Sequence, residues 1–184
     1  IHCPKGACMS PLYQYKSLNK LLMQYVVPLV FFRNFYHAVR NNRCMNFTEL
    51  DLPSAVQQGI EHAGFLSCTP VQEAVIPRAV RGEDIAAQAQ TGTGKTAAFL
   101  ISLFTRMIAN PVAVADLGDS PQALIISPTR ELADQIFHEA ERLGKFTGFR
   151  LLAVFGGIDY QKQMDTLHKG VDVLIGTPGR LIDY

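Results

Sequence analysis

Ala89-Gln90-Thr91-Gly92-Thr93-Gly94-Lys95-Thr96 is the stretch on which the fold turns. An alternating segment, Asp84 to Gln90, leads into it and is expected as a strand. Thr96 to Met107 follows as an apolar helical pattern, hence a buried helix. A glycine-rich turn between a strand and a helix gathers backbone N–H groups around an anion. The helix N-terminus adds the positive end of its dipole. Lys95 then reaches β- and γ-phosphates, and the Thr96 hydroxyl is placed for Mg²⁺. The stretch reads as a P-loop, with Ala89 where the general pattern has its first glycine. An ordinary glycine-rich turn accounts for the glycines but not for Lys95 and Thr96 at their offsets.

Around it stands a chain of 184 residues, for which one domain with a real core is the default. The near-neutral total charge hides an asymmetry. Residues 1–44 carry six Lys or Arg and no acidic residue, so +6, while residues 45–184 carry eleven against sixteen, so −5. Three of the four cysteines also lie in the first part. Cys3 and Cys8, near His2, have no second pair to close a tetrahedral metal site. Cys68 stands alone in the second part, so free thiols and a reducing cytoplasm are expected.

Residues 1–44 are read as an N-terminal extension outside the domain. Leu21 to Phe32 is largely apolar between basic residues, but Gln24 and Pro28 interrupt it and no small-residue cleavage site follows. It is short for a membrane span of about 20 residues, so no membrane association is expected. Met45 stands directly before the first orderly pattern and is the expected native start.

From Phe47 onward the elements alternate. Leu52, Ala55, Val56, Ile60 and Ala63 recur at helical spacing between Pro53 and Gly64. Thr69-Pro70 starts a second helix, with Gln72 completing a capping box; Ile76-Pro77 is expected to kink or end it. Asn110 to Gln122 reads as a surface loop, and Ala123 to Ser127 as a short buried strand. Pro128-Thr129 opens a helix with Leu132, Ile136 and Leu143 on one face. Arg150 to Phe155 is a strand stopped by Gly156-Gly157. Asp159 is the expected cap of a helix to Lys169, and Val171 to Gly176 a strand into Thr177-Pro178-Gly179-Arg180. The alternation predicts an α/β fold, a parallel sheet wrapped by helices, over residues 45–184.

In such a sheet, ligands sit beyond the carboxyl ends of the strands. Four expected strand ends carry polar text: the P-loop, Ser127 to Ala133, Gly156-Gly157, and Thr177 to Leu181. Thr129 and Thr177 are also respectable helix caps. Together, helix N-termini, glycine backbones, Arg130 and Arg180 make a track suited to a phosphate chain.

These texts resemble the DEAD-box RNA helicase family, bacterial-type. Gly64-Phe65 with Thr69-Pro70-Val71-Gln72 is similar to its Q motif, and Phe47, seventeen residues before Gly64, to its upstream aromatic. Ala89 to Thr96 is similar to motif I, Pro128 to Ala133 to motif Ia, Gly156-Gly157 to the GG motif, and Thr177-Pro178-Gly179-Arg180 to motif Ib. The resemblance covers about residues 46–184. It implies a RecA-like P-loop lobe, incomplete at its C-terminal end, and an ATP-dependent RNA helicase activity with ATP and Mg²⁺ as cofactors. Gln72 would bind the adenine edge and Phe47 would stack on the base. Gln72 is also the capping partner, and its side chain can hardly do both jobs fully. Residues Ala89 to Thr96 would hold the phosphates, with Lys95 and Thr96 as catalytic residues and Thr96 on the metal. Pro128, Thr129, Arg130, Gly156, Gly157, Thr177, Pro178, Gly179 and Arg180 would hold the RNA sugar-phosphate backbone, with little sequence preference. Glu131 would orient Arg130 or merely serve the first helical turn. Protein partners in RNA metabolism and a cytoplasmic location are further implications.

The family's Asp-Glu-Ala-Asp tetrad does not occur among these residues. Since that motif would hold Mg²⁺ and position water, this chain alone is expected to hydrolyse ATP negligibly, and open sheet edges are expected to make it aggregation-prone. Two further readings remain. One is a nucleotide-dependent RNA-binding clamp without unwinding. The other is a metabolite kinase, which gives no reason for the Pro128 to Ala133 and Thr177 to Arg180 texts.

Overall fold

The computed structural model describes residues 44–111, 120–157 and 160–184. Residues 1–43, most of the expected loop after Asn110, and the expected cap Asp159 lie outside the described residues. Helix α1 (Ser54–His62) follows Pro53 and buries Val56, Gly59 and Ile60. Gly64 ends this unit at φ 78°, in the left-handed region where glycine has no Cβ to clash.

Helix α2 (Pro70–Val80) starts where the capping residues stand. Thr69 accepts from the Gln72 N–H, and Gln72 Oε1 accepts the Thr69 N–H at 2.8 Å. The helix does not end at Ile76-Pro77 but runs on to Val80 with Pro77 inside it. An interior proline costs about 3 kcal/mol in a helix. Here Ile76 has no exposed surface, and α2 packs along the next helix. Tertiary burial outweighs the local preference.

Helix α3 (Lys95–Ala109) is buried on most sides, with Leu100, Ile101 and Phe104 fully enclosed. The strand expected over residues 84–90 is not formed; that segment belongs to no helix or strand. A strand exists only where a neighbour takes its N–H and C=O groups. The three paired strands of the described residues do not include it. Its alternation survives only as burial of Ala86 beside exposed Ala87.

Strands β1 (Ala123–Ile126), β2 (Leu151–Val154) and β3 (Val173–Gly176) form a parallel sheet in the order β1-β3-β2. Ala123 and Leu151 stand opposite Val173, and Ile126 and Val154 opposite Gly176. The central strand β3 is buried along its whole length. β1, expected to be buried, is an edge strand of this sheet, and Ile126 is 53% exposed. Helices α4 (Arg130–Gly144), α5 (Tyr160–His168) and α6 (Pro178–Asp183) complete the alternation. The buried stripe of α4 is Ala133, Ile136, Ala140 and Leu143; Leu132, expected on that face, is exposed. The stripe's spacing of three and four residues starts one position later than expected.

At the amino end of the sheet, Arg150 and Asp172 pin the strands. The Asp172 carboxylate accepts from the Arg150 backbone N–H at 2.7 Å and from its guanidinium twice at 3.1 Å. Backbone bonds from Gln122 and Ala123 to the Asp172 carbonyl join β1 to the same point. Burial pushes the Asp172 carboxyl up, but the Arg150 hydrogen bonds and charge outweigh it, and the net shift is downward. None of the helices among the described residues is long and apolar enough to cross a membrane.

Candidate functional site

The P-loop is built against the start of α2. Thr69 Oγ1 donates to the Thr93 carbonyl at 2.8 Å, and Gln72 Nε2 donates to the Gly94 carbonyl at 3.2 Å. Gln72 is 1% exposed, with both ends of its amide engaged inside the chain. Gly94 sits at φ 83°, and a Cβ there would lie 2.5 Å from Gln72 Nε2. Only glycine allows this close approach. Lys95 Nζ donates to the carbonyls of Ala89 and Gln90, folding its side chain back over the loop. Thr93 Oγ1 closes the turn on the Gln90 carbonyl.

The start of α3 differs from its neighbours. α2 and α4 each carry a threonine cap, Thr69 and Thr129, but Gly94 provides α3 with no side-chain cap. The first N–H groups of a helix have no intrahelical acceptor. Here they face a glycine turn with Lys95 beside them, a donor set that fits a phosphate. For Mg²⁺ the motif offers one side-chain oxygen, that of Thr96. The described residues contain no group of three His, Cys, Asp or Glu able to hold a metal. Mg²⁺ retains waters and takes phosphate oxygens alongside one or two protein ligands, so Thr96 fits an ion carried by a nucleotide.

Phe47 follows a strand-like segment held against residues 67–73. Cys68 N–H donates to the Met45 carbonyl at 2.8 Å, Asn46 and Ser67 form an antiparallel bridge, and Met45 N–H donates to Glu73 at 2.6 Å. The Phe47 ring is 4% exposed and lies 6.2 Å from that of Phe65. Beside them, Cys68 is buried, and its thiol is pushed up to about 11 by burial first and then by Glu73 and Glu49. A shallow pocket of about 230 Å³ between Phe47, Phe65 and Ile60 opens on this side of α1.

A second cluster occupies the carboxyl end of the sheet. Three strand ends meet there, not the four expected, because no strand precedes the P-loop. Ser127 N–H donates to the Gly176 carbonyl, and Thr177 N–H to the Val154 carbonyl. Thr129 caps α4 by accepting the Leu132 N–H. Arg130 lies over the Phe155 ring at 5.9 Å, and its guanidinium covers Gly157, where a Cβ would come within 2.6 Å of Nη2. Gly157 has φ 87°. Around Gly156 and Gly179 a Cβ would meet nothing within 4 Å, so their backbones are open to approach. Glu131 stands in the first turn of α4, and no ion pair joins it to Arg130 among the described residues. Thr177 caps α6 without a side-chain hydrogen bond.

Motif residues are thus brought together in two groups. The first joins Thr69 and Gln72 to the P-loop, while Phe47 packs apart from them against Phe65. The second joins Arg130, Gly157, Thr177 and Arg180 at the sheet end. Sequence reading missed the aromatic support of the second group. Arg180 lies 5.5 Å from the Tyr160 ring and 5.9 Å from that of Tyr184, and the two rings stack at 5.0 Å. The available signal was a tyrosine three residues after Gly157 and another four after Arg180.

A parallel sheet wrapped by helices, with a P-loop clamped by a capping-box glutamine and an arginine-bearing sheet end, defines a RecA-like lobe of the P-loop class. The profile of the DEAD/DEAH box helicase family matches residues 69–184. The chain is similar to ATP-dependent RNA helicase RhlB of Xanthomonas campestris pv. campestris, 49% identical over 140 residues, 76% of this chain and 24% of the relative. It is equally similar to RhlB of Cronobacter sakazakii, 49% identical over 138 residues, 75% of this chain and 33% of the relative. Its fold matches the crystal structure of a DEAD box protein from the hyperthermophile Methanococcus jannaschii. The TM-score is 0.65 at 36% identity, over 76% of this chain and 36% of that one. The chain belongs to the DEAD/DEAH box helicase family. It spans between a quarter and a third of the length of these two curated relatives.

Proposed function

We propose that residues 45–184 form the first nucleotide- and RNA-binding lobe of an ATP-dependent RNA helicase acting in the cytoplasm. The observation that carries this reading is the joint of the P-loop with Thr69 and Gln72. It couples the phosphate loop to Gln72, the residue implied for adenine. When ATP binds, Lys95 leaves the Ala89 and Gln90 carbonyls and donates to β- and γ-phosphate oxygens. The N–H groups of the first turn of α3 complete the phosphate cradle. Mg²⁺, with Thr96 as one ligand, would supply charge neutralisation. Gln72 uses one lone pair and one N–H internally, so it would read the adenine edge through the second of each, once uncovered.

Arg130 and Arg180, with the Gly156, Gly157 and Gly179 backbones and the Thr129 and Thr177 corners, bind RNA through its phosphates. Such contacts carry no sequence information. In the complete protein, ATP binding closes a second lobe over RNA and pries a short duplex apart, and hydrolysis resets the cycle. The similarity to proteins named RNA helicases supports unwinding over a clamp that only binds. These residues alone, without an Asp-Glu-Ala-Asp tetrad, turn over ATP negligibly.

Titration with a fluorescent ATP analogue tests the nucleotide half. Saturable, Mg²⁺-dependent binding is expected, with Lys95→Ala weakening it about tenfold or more, the worth of one charge-assisted contact of about 1.5–3 kcal/mol. Equal binding by the variant refutes the role of Lys95. A duplex-unwinding assay on the complete protein separates helicase from clamp.

A further inference from the structure

We propose that Tyr160 is a stacking platform for a nucleobase of single-stranded RNA, set beside the Arg180 guanidinium at the carboxyl end of the sheet. The proposal rests on the RNA-binding reading above and adds to it a contact with the bases. Tyr160 is the first residue of α5, three positions after Gly157, where the Arg130 guanidinium lies. It is 43% exposed, although aromatic rings of this size are ordinarily drawn inward.

Its surroundings are built rather than casual. Tyr184 stacks on it at 5.0 Å with 23° between the ring planes. The Tyr184 hydroxyl donates to Gln163 Oε1 at 2.7 Å, and Gln163 is 4% exposed, so this second ring is anchored from within. Gln163 Nε2 is buried and makes no hydrogen bond. Arg180 sits against both rings and has no carboxylate partner among the described residues. A rigid ring held by an anchored neighbour loses little freedom when a ligand stacks on it. An unpaired guanidinium next to an exposed ring is the combination that binds a phosphate and the base it carries.

The occupant follows from charge and shape. Arg130 and Arg180 stand along one sheet end in a region whose total charge is −5. A positive track confined to one end of an acidic lobe selects a polyanion. Of polyanions, a nucleic acid strand presents flat faces to a tyrosine. Every base has such a face, so the contact favours bases over bare backbone without choosing among them.

Fluorescence anisotropy on the full 184-residue chain tests this, with two probes of equal length at one salt concentration. One is a short labelled oligoadenylate, the other the matching abasic ribose-phosphate strand. The chain should bind oligoadenylate more tightly. Tyr160→Leu should weaken oligoadenylate about five- to 150-fold, the range for loss of one stacked base, and weaken the abasic strand far less. Tyr160→Phe should behave like the parent. Equal weakening of both probes by Tyr160→Leu makes Tyr160 a brace for Arg180 and overturns the platform, while leaving RNA-backbone binding intact. Absence of binding to either probe overturns the RNA reading itself and the platform with it. The chain contains no tryptophan, so its tyrosine emission is a second readout. Quenching by oligoadenylate but not by the abasic strand supports stacking even if Tyr160→Leu fails to fold; quenching by neither opposes it.

Discussion

Gln72 shows how one side chain serves two elements. Its Oε1 caps α2 at Thr69, and its Nε2 holds the Gly94 carbonyl of the P-loop. The capping half was legible from the spacing of Thr69 and Gln72. The bridge to Gly94, twenty-two residues away, was not, because local spacing says nothing of a long-range neighbour. Gly94 completes the joint, at φ 83° and with Gln72 Nε2 filling the space a Cβ would take. Gly94→Ala should therefore cost about 1–2 kcal/mol for the left-handed backbone alone. It should also displace Gln72. A lower urea midpoint together with weakened nucleotide binding is expected. Weakened binding at unchanged stability would mean the loop absorbs the methyl group without strain.

At the scale of elements, five helices and three strands of the described residues lie where periodicity and caps put them, within a few residues at their ends. One helix runs past an expected end, and one expected strand does not form, for related reasons. The helix through Pro77 continues because Ile76 is locked in the core, and residues 84–90 stay outside the sheet because no described strand lies beside them. Pattern reports what a segment would do, and neighbours decide whether it does. The crossing of α1 on α4 was equally invisible. A Cβ on Gly59 would lie 1.9 Å from the Leu143 carbonyl oxygen. Gly59→Ala must push the helices apart, at about 1–3 kcal/mol of overpacking, and calorimetry should show Tm falling by about 3–10 °C. The Arg150–Asp172 pin gives an acid signature. A carboxyl held below its usual value stabilises the fold above its unfolded pKa of about 3.9, and that contribution is lost as pH falls through the lower folded value. Urea midpoints measured on acidification should drop less steeply in Asp172→Asn, from a lower neutral starting point. Parallel curves would remove Asp172 from the acid response.

For the whole molecule, charge and topology matter more than any contact. The region from residue 45 on carries −5, so in the proposed function RNA would be drawn by the local track at the sheet end and not by a general field. Binding should weaken with salt at a log–log slope of about −0.7 per phosphate neutralised, and Arg130→Ala should flatten that slope by about one such unit. An unchanged slope would show that Arg130 meets no phosphate. The strand order was not legible, since alternation predicts a parallel sheet but not which strand takes the middle. That place belongs to β3, the last of the three described strands, with β1 and β2 touching it and not each other. On a ribosome, residues 123–126 and 151–154 emerge with no partner for their ladders. Among the described strands, their pairing partner is present only when residues 173–176 arrive. Pairing of these three strands is thus deferred to the arrival of β3, and a pause in synthesis just before Val173 would leave two bare strands exposed to other chains.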